Sequence, residues 1–198
     1  MESFYQALDA YIASSETLST QEENRLWEMY GQDRAVLCLD LSGFTFLTQK
    51  HGLFHFLSMI RRMQLTTASI VKHYGGSVVK FEADNLFAVF DSVDCALQTA
   101  IDINLTFETA NQSTELTKHL YACIGISYGR ILLVEGKDLF GDAVNLASKL
   151  GEDIADKSEI LLTKEAADRL VRKDHVAFRP EHYSISGLRL DVLKVVYV

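Results

Sequence analysis

Ala35-Val36-Leu37-Cys38-Leu39-Asp40-Leu41 is a continuous apolar run broken once, by a carboxylate. A strand with one wet face alternates apolar and polar side chains. A run that does not alternate suits a strand buried on both faces. The chain around it must therefore supply helices to pack on a sheet.

The flanking pattern does so. Leu53, Phe56, Leu57, Ile60, Met63, Ile70 and Val71 space out a helix that reaches Tyr74 and stops at Gly75-Gly76. Two short apolar runs, 78–81 and 86–90, flank Glu82-Ala83-Asp84-Asn85 and predict a hairpin. Asp91 or Ser92 caps a helix through Ala96, Ala100, Ile103 and Phe107, followed by a polar loop over 108–118. Strands over 120–127 and 131–135 join through Gly129. A helix over 141–150, a strand over 159–162, a helix over 163–171 and two last strands around Gly187 complete the chain. The order β-α-β-β-α-β-β-α-β-α-β-β indicates an α/β fold, a mixed sheet with helices packed on it. Residues 1–34 read as two helical pieces, one with Phe4, Leu8, Tyr11 and Ile12 on its apolar face. The other opens on a Ser19/Glu22 capping box. We divide the chain into this N-terminal helical appendage, 1–34, and one domain, 35–198.

At 198 residues the chain is long enough for one domain with a sizeable core. A net charge of −8 with no basic stripe argues against nucleic acid as a partner. No apolar run approaches the ~18 residues of a membrane span, and the N-terminus shows no secretory pattern. Cys38, Cys95 and Cys123, an odd number without a CxxC pair, read as reduced core thiols of a cytoplasmic protein.

Three polar residues stand out. Asp40 ends the buried strand just before Ser42-Gly43, where α/β proteins place ligand groups; an N-cap for the next helix explains it equally well. Asp84 sits in the hairpin turn, where Asp is commonly only a turn former. Lys80 interrupts an apolar strand, which places it at an edge with its head in water or aims it at a partner. Two Asp residues on neighbouring strands can hold two Mg²⁺ ions, hard cations that prefer oxygen. His51 and His55 have helical zinc spacing but lack a third ligand.

Taken in order, these segments resemble class III adenylyl and guanylyl cyclases. Val36-Leu37-Cys38-Leu39-Asp40-Leu41-Ser42-Gly43-Phe44-Thr45 resembles their first metal motif, and Lys80-Phe81-Glu82-Ala83-Asp84 their second. Ile124-Gly125-Ile126-Ser127-Tyr128-Gly129 is similar to their glycine-containing strand. Asp138-Leu139-Phe140-Gly141-Asp142-Ala143-Val144-Asn145-Leu146-Ala147-Ser148-Lys149 is similar to the motif that reads the base and stabilises the transition state. The resemblance covers roughly 35–197.

It implies a ferredoxin-like βαββαβ cyclase homology domain that works as a homodimer. One subunit supplies Asp40 and Asp84, with the Leu41 carbonyl, to two Mg²⁺ or Mn²⁺ ions per site. The other supplies Lys80 and Asp138 for adenine, Asn145 for the ribose and Lys149 for the triphosphate. ATP is favoured, because Lys donates to N1 and Asp accepts from the 6-amino group. The product would be 3′,5′-cyclic AMP, with loss of pyrophosphate. Three departures stand against the pattern. Lys149 replaces an Arg, which keeps the charge and loses the planar fork. Ala83 replaces a Gly, and no phosphate-binding Lys is evident near the C-terminus, where Arg189 and Lys194 are the candidates. The alternatives are a catalytically weak regulatory nucleotide-binding module, and a cyclase for GTP or a pyrimidine nucleotide.

Overall fold

The computed structural model describes residues 4–14, 20–43, 52–134, 136–172, 176–185 and 188–197. The chain opens with helices α1 (Phe4–Ser14) and α2 (Thr20–Tyr30), and strand β1 (Gly31–Leu41) follows α2 directly. Helix α3 (Leu53–His73), the hairpin β2 (Ser77–Glu82) and β3 (Asn85–Phe90), and α4 (Val93–Gln112) come next. Strand β4 (Ala122–Val134) turns back through β5 (Asp138–Phe140) into α5 (Asp142–Ser148), which continues as a π-helix over Lys149–Ile154. Strand β6 (Ile160–Thr163), helix α6 (Lys164–Asp168) and the hairpin β7 (Val176–Ile185) and β8 (Leu188–Tyr197) complete it.

These strands form one mixed sheet in the order β2-β3-β1-β4-β6-β8-β7, with β5 paired to β4. Its first half, β2-β3-β1-β4, is wholly antiparallel, with α3 and α4 as the connections: the ferredoxin-like βαββαβ arrangement that the family resemblance implied. β6 then joins β4 in parallel, and β8 and β7 extend the sheet in antiparallel fashion.

The unbroken apolar run has a direct structural cause. Successive side chains of a strand point to opposite faces. Ala35, Leu37, Leu39 and Leu41 enter a core shared with Met59 and Met63 of α3 and Ala96, Ala100 and Ile103 of α4. Val36 and Cys38 enter a second core with Ala143, Val144 and Ala147 of α5. Asp40 therefore stands on the α5 face of the sheet, and Leu41 on the other.

Several local expectations are corrected. The two strands expected on either side of Gly129 are one 13-residue strand, β4, and Gly129 pairs with Arg34 within it. The glycine serves packing: a Cβ there would lie 3.2 Å from that of Ala143. The hairpin turn falls later, between β4 and β5. Helix α4 continues to Gln112, into the segment expected to be a polar loop, and Leu116–Lys118 form a further 3₁₀ turn. The helix read over 141–150 carries on past Gly151. Ser92, not Asp91, caps α4, accepting from the Cys95 N–H at 3.2 Å, while Asp91 pairs with Arg34. Ser19, His51 and Gly187 lie outside the described residues. Among the described residues no helix is long and apolar enough to cross a membrane.

Candidate active site

The acidic part is built by two turns of chain. Asp40 is half-buried at the end of β1, opposite Cys123 of β4. Asp84 lies in the two-residue turn joining β2 and β3, whose closing pair is Glu82 and Asn85. The preceding turn residue, Ala83, has φ 50°, a left-handed conformation that favours glycine. Burial pushes the Asp40 carboxyl up to about 7, helped by the charges of Asp84 and then Glu152; a backbone N–H bond at Leu41 offsets part of this. The pairing of Leu39 with Leu86 sets the end of β1 beside the turn that carries Asp84. The Leu41 side chain points into the α3/α4 core, so its backbone carbonyl is the group it could offer to a cation.

Glu152, which no sequence motif marked, approaches this pair from the π-helix. Its Oε1 accepts from the Asn85 side-chain amide at 3.1 Å and from the Cys38 thiol at 3.6 Å. Burial, then the Glu152 charge, keeps that thiol protonated. The approach depends on glycines. A Cβ on Gly125 would lie 2.1 Å from the Ala147 carbonyl oxygen, and one on Gly151 would lie 2.9 Å from the Cys38 carbonyl oxygen. No motif spacing marks Glu152, because the widened helical turn that carries it has no simple sequence signature.

Divalent cations fit this chemistry. The donors are hard oxygens, and Asp40 carries repulsion that a cation would relieve. The Oδ1 of Asn85, next in sequence to Asp84, is buried and has no hydrogen-bond partner among the described residues. Among those residues no group of three or more His, Cys, Asp or Glu is arranged to hold a metal ion.

The basic part lies across β2 and β5. The Lys80 ammonium is 3.0 Å from Asp138 Oδ1 and 3.1 Å from Glu82 Oε1, and sits 5.3 Å from the Phe87 ring centre. β2 is an edge strand, so Lys80 is at an edge and also aimed at a partner. Asp138 further accepts from the Leu139 N–H at 2.9 Å and from the Tyr5 hydroxyl of α1 at 3.5 Å. Phe4, buried beside Tyr5, stacks on Phe140 with 6.1 Å between ring centres, so α1 docks against β5.

Asn145 is exposed on α5. Lys149 begins the π-helix, with its ammonium 3.9 Å from Asp153. Arg189 lines a separate cavity of about 200 Å³ with Leu146, Leu150 and Lys164, and the Lys194 ammonium is bonded to Glu159. The structure therefore brings Asp40 together with Asp84, and Lys80 together with Asp138. Asn145 and Lys149 follow on the helix after β5.

Residues 30–196 match the adenylate and guanylate cyclase catalytic domain family, and the chain belongs to it. An adenylate cyclase of Streptomyces coelicolor is 31% identical over 145 residues, 73% of this chain and 36% of that protein. The chain spans about a third of the length of the curated relatives it matches. Among solved structures, the adenylyl cyclase CyaB from P. aeruginosa superposes with a TM-score of 0.73 at 22% identity, covering 85% of this chain and 96% of that one. An adenylate/guanylate cyclase/hydrolase from Silicibacter pomeroyi gives 0.70 at 25% identity, covering 84% and 97%.

Proposed function

We propose that the chain converts ATP to 3′,5′-cyclic AMP and pyrophosphate, at sites shared by two copies of itself, in the cytoplasm. The observation that carries this reading is the β1–β3 register, which pairs Leu39 with Leu86 and so sets Asp40, at the end of β1, beside the β2–β3 turn that holds Asp84. Bound Mg²⁺ or Mn²⁺ would supply charge neutralisation for the triphosphate and acidify the ribose 3′-hydroxyl. Asp40 and Asp84, with the Leu41 carbonyl, are the residues to hold these ions.

The remaining roles belong to side chains that position the substrate. Lys80 donates to adenine N1, and Asp138 accepts from the exocyclic amine. Both must exchange part of their present mutual bond for bonds to the base. Asn145 orients the ribose from the exposed face of α5. Lys149 neutralises charge on the leaving pyrophosphate. The rate enhancement is then mostly orientation and electrostatic stabilisation, with no protein base assigned. The metal pair and the Lys80/Asp138, Asn145 and Lys149 set come from different subunits, so a homodimer carries two sites. Helices α1 and α2 form an appendage to the catalytic domain, whose first strand begins at Gly31 and not at the Ala35 boundary expected from the sequence.

One observation favours a second reading, a catalytically weak module that binds nucleotide and regulates. Lys149, in place of the family's Arg, has Asp153 beside it, which competes for its charge. A second substrate class, GTP or a pyrimidine nucleotide, follows if the two base-reading residues act otherwise. Incubation with each of the four nucleoside triphosphates and Mn²⁺ or Mg²⁺, read by mass spectrometry, separates the three. Cyclic AMP as the main product supports the proposal, and cyclic GMP or a cyclic pyrimidine nucleotide replaces it. Nucleotide binding without turnover leaves the regulatory reading.

A further inference from the structure

Glu152 joins three elements that the proposed reaction needs in fixed relation. It hydrogen-bonds Cys38, which shares the α5 face of β1 with Asp40 two residues on, and Asn85, which directly follows Asp84. The Ser148 hydroxyl, 3.8 Å from the Cys38 sulfur, adds a contact from the end of α5. One carboxylate oxygen thus ties the strand bearing one Asp to the hairpin bearing the other.

The backbone that presents Glu152 is unusual. The helix widens after Ser148, and the Ala155 N–H donates to the Leu150 carbonyl at 2.8 Å, an i→i+5 bond. Such π-turns are rare and are frequent at functional sites. Gly125 and Gly151 let this turn lie against the backbones of β1 and β4. The fold accepts a π-turn, close backbone packing and an extra carboxylate beside Asp40, whose charge opposes that of Asp40. A core helix end would require none of these.

We propose that Glu152 is a positioning residue: through Asn85 and Cys38 it sets the spacing of Asp40 and Asp84 for divalent cations. The proposal rests on the two-carboxylate metal reading. Glu152 acts as a hydrogen-bond acceptor, so a neutral acceptor of the same shape should replace it. Losing an outer-shell partner typically weakens metal binding about 10- to 100-fold.

The test is titration of the full chain with Mn²⁺ alone, following free Mn²⁺ by electron paramagnetic resonance, with thermal midpoints recorded for each variant. Glu152→Ala should weaken Mn²⁺ binding about tenfold, and Glu152→Gln should stay within about threefold of the unmodified chain. Asn85→Ala should weaken binding by no more than Glu152→Ala, and the double variant should be no weaker than Glu152→Ala alone, because Asn85→Ala removes one of the two links that Glu152→Ala removes. Equal losses in Glu152→Gln and Glu152→Ala would overturn the proposal in favour of a direct or purely electrostatic role. Unchanged binding in Glu152→Ala would overturn it outright, as would losses that add when Asn85→Ala is combined with it. Asp40→Asn is the parallel control. If it binds Mn²⁺ like the unmodified chain, the two-carboxylate reading itself fails; if it alone loses binding, only the role of Glu152 fails.

Discussion

The Lys80 ammonium and the Asp138 carboxylate meet at 3.0 Å between an edge strand and the short strand after β4. Burial pulls the Lys80 pKa down, but its bonds to Asp138 and Glu82 outweigh this and hold it above the usual value. Burial likewise lifts Asp138, and the Lys80 and Leu139 bonds bring it below the usual carboxylate range. Both groups are therefore charged at neutral pH, a donor beside an acceptor, which matches adenine and mismatches guanine. Replacing both, Lys80→Glu with Asp138→Cys, should lower the ATP-to-GTP ratio of kcat/KM by at least about tenfold. A GTP preference in the unmodified chain would remove the base-reading assignment.

Asp40 should make the metal-free protein pH-sensitive. Its folded pKa of about 7 lies above the ordinary value of 3.8, so the folded state holds a proton that the unfolded state releases. Stability attributable to this group is intact below about pH 4, falls as pH rises toward 7, and is level above. Asp40→Asn should therefore match the unmodified chain at pH 4 and exceed it at pH 8 by roughly 2 kcal/mol, after discounting for partial exposure. The same variant should lose turnover with metal present. Urea denaturation at the two pH values, in chelator, checks the stability difference; equal stability at pH 8 would show that Asp40 is not strained by its neighbours.

Ala83 holds φ 50° in the Asp84 turn. An L-residue pays about 1 kcal/mol for left-handed backbone, whereas glycine adopts it freely but adds entropy to the unfolded chain. Ala83→Gly should come out neutral to about 1 kcal/mol stabilising, with an unchanged denaturant slope. A clear loss of stability would mean that the turn does not require this conformation in solution.

The succession of strands and helices along the chain was legible because most elements have a local signal, whereas Asp138, Asn145 and Lys149 were singled out only through the family resemblance. The run 35–41 announces burial on both faces, Gly75-Gly76 ends a helix, and a two-residue turn separates two apolar runs. Gly129 misled because glycine marks both turns and close packing, and only the helix lying over it decides between them. The π-turn had no visible mark, since Lys149 to Ile154 looks like the fraying end of an ordinary helix. Glu152 was hidden for the same reason: its partners, Asn85 and Cys38, are 67 and 114 residues away. The docking of Phe4 on Phe140 is also long-range, although the apolar face of α1 signalled that something covers it.

Lys149 decides between a working catalyst and a weak one. An ammonium used only in the transition state contributes to rate and little to stability. Lys149→Ala should then lower kcat about 100-fold or more with a thermal midpoint near that of the unmodified chain. Lys149→Arg should preserve or raise activity, because the planar fork binds phosphate in two places. Asp153→Asn, which removes the nearby counter-charge, should not lower activity if Lys149 turns away from it to reach the triphosphate. The shared site gives the sharper outcome. Asp40→Ala subunits and Lys149→Ala subunits, each strongly impaired alone, should regain activity on mixing, since every heterodimer rebuilds one complete site. A mixture that stays inactive despite demonstrated subunit exchange would place both residues in the same subunit's site. A Lys149→Ala chain as active as the unmodified one would leave Lys149 as a cation paired with Asp153 on the helix surface.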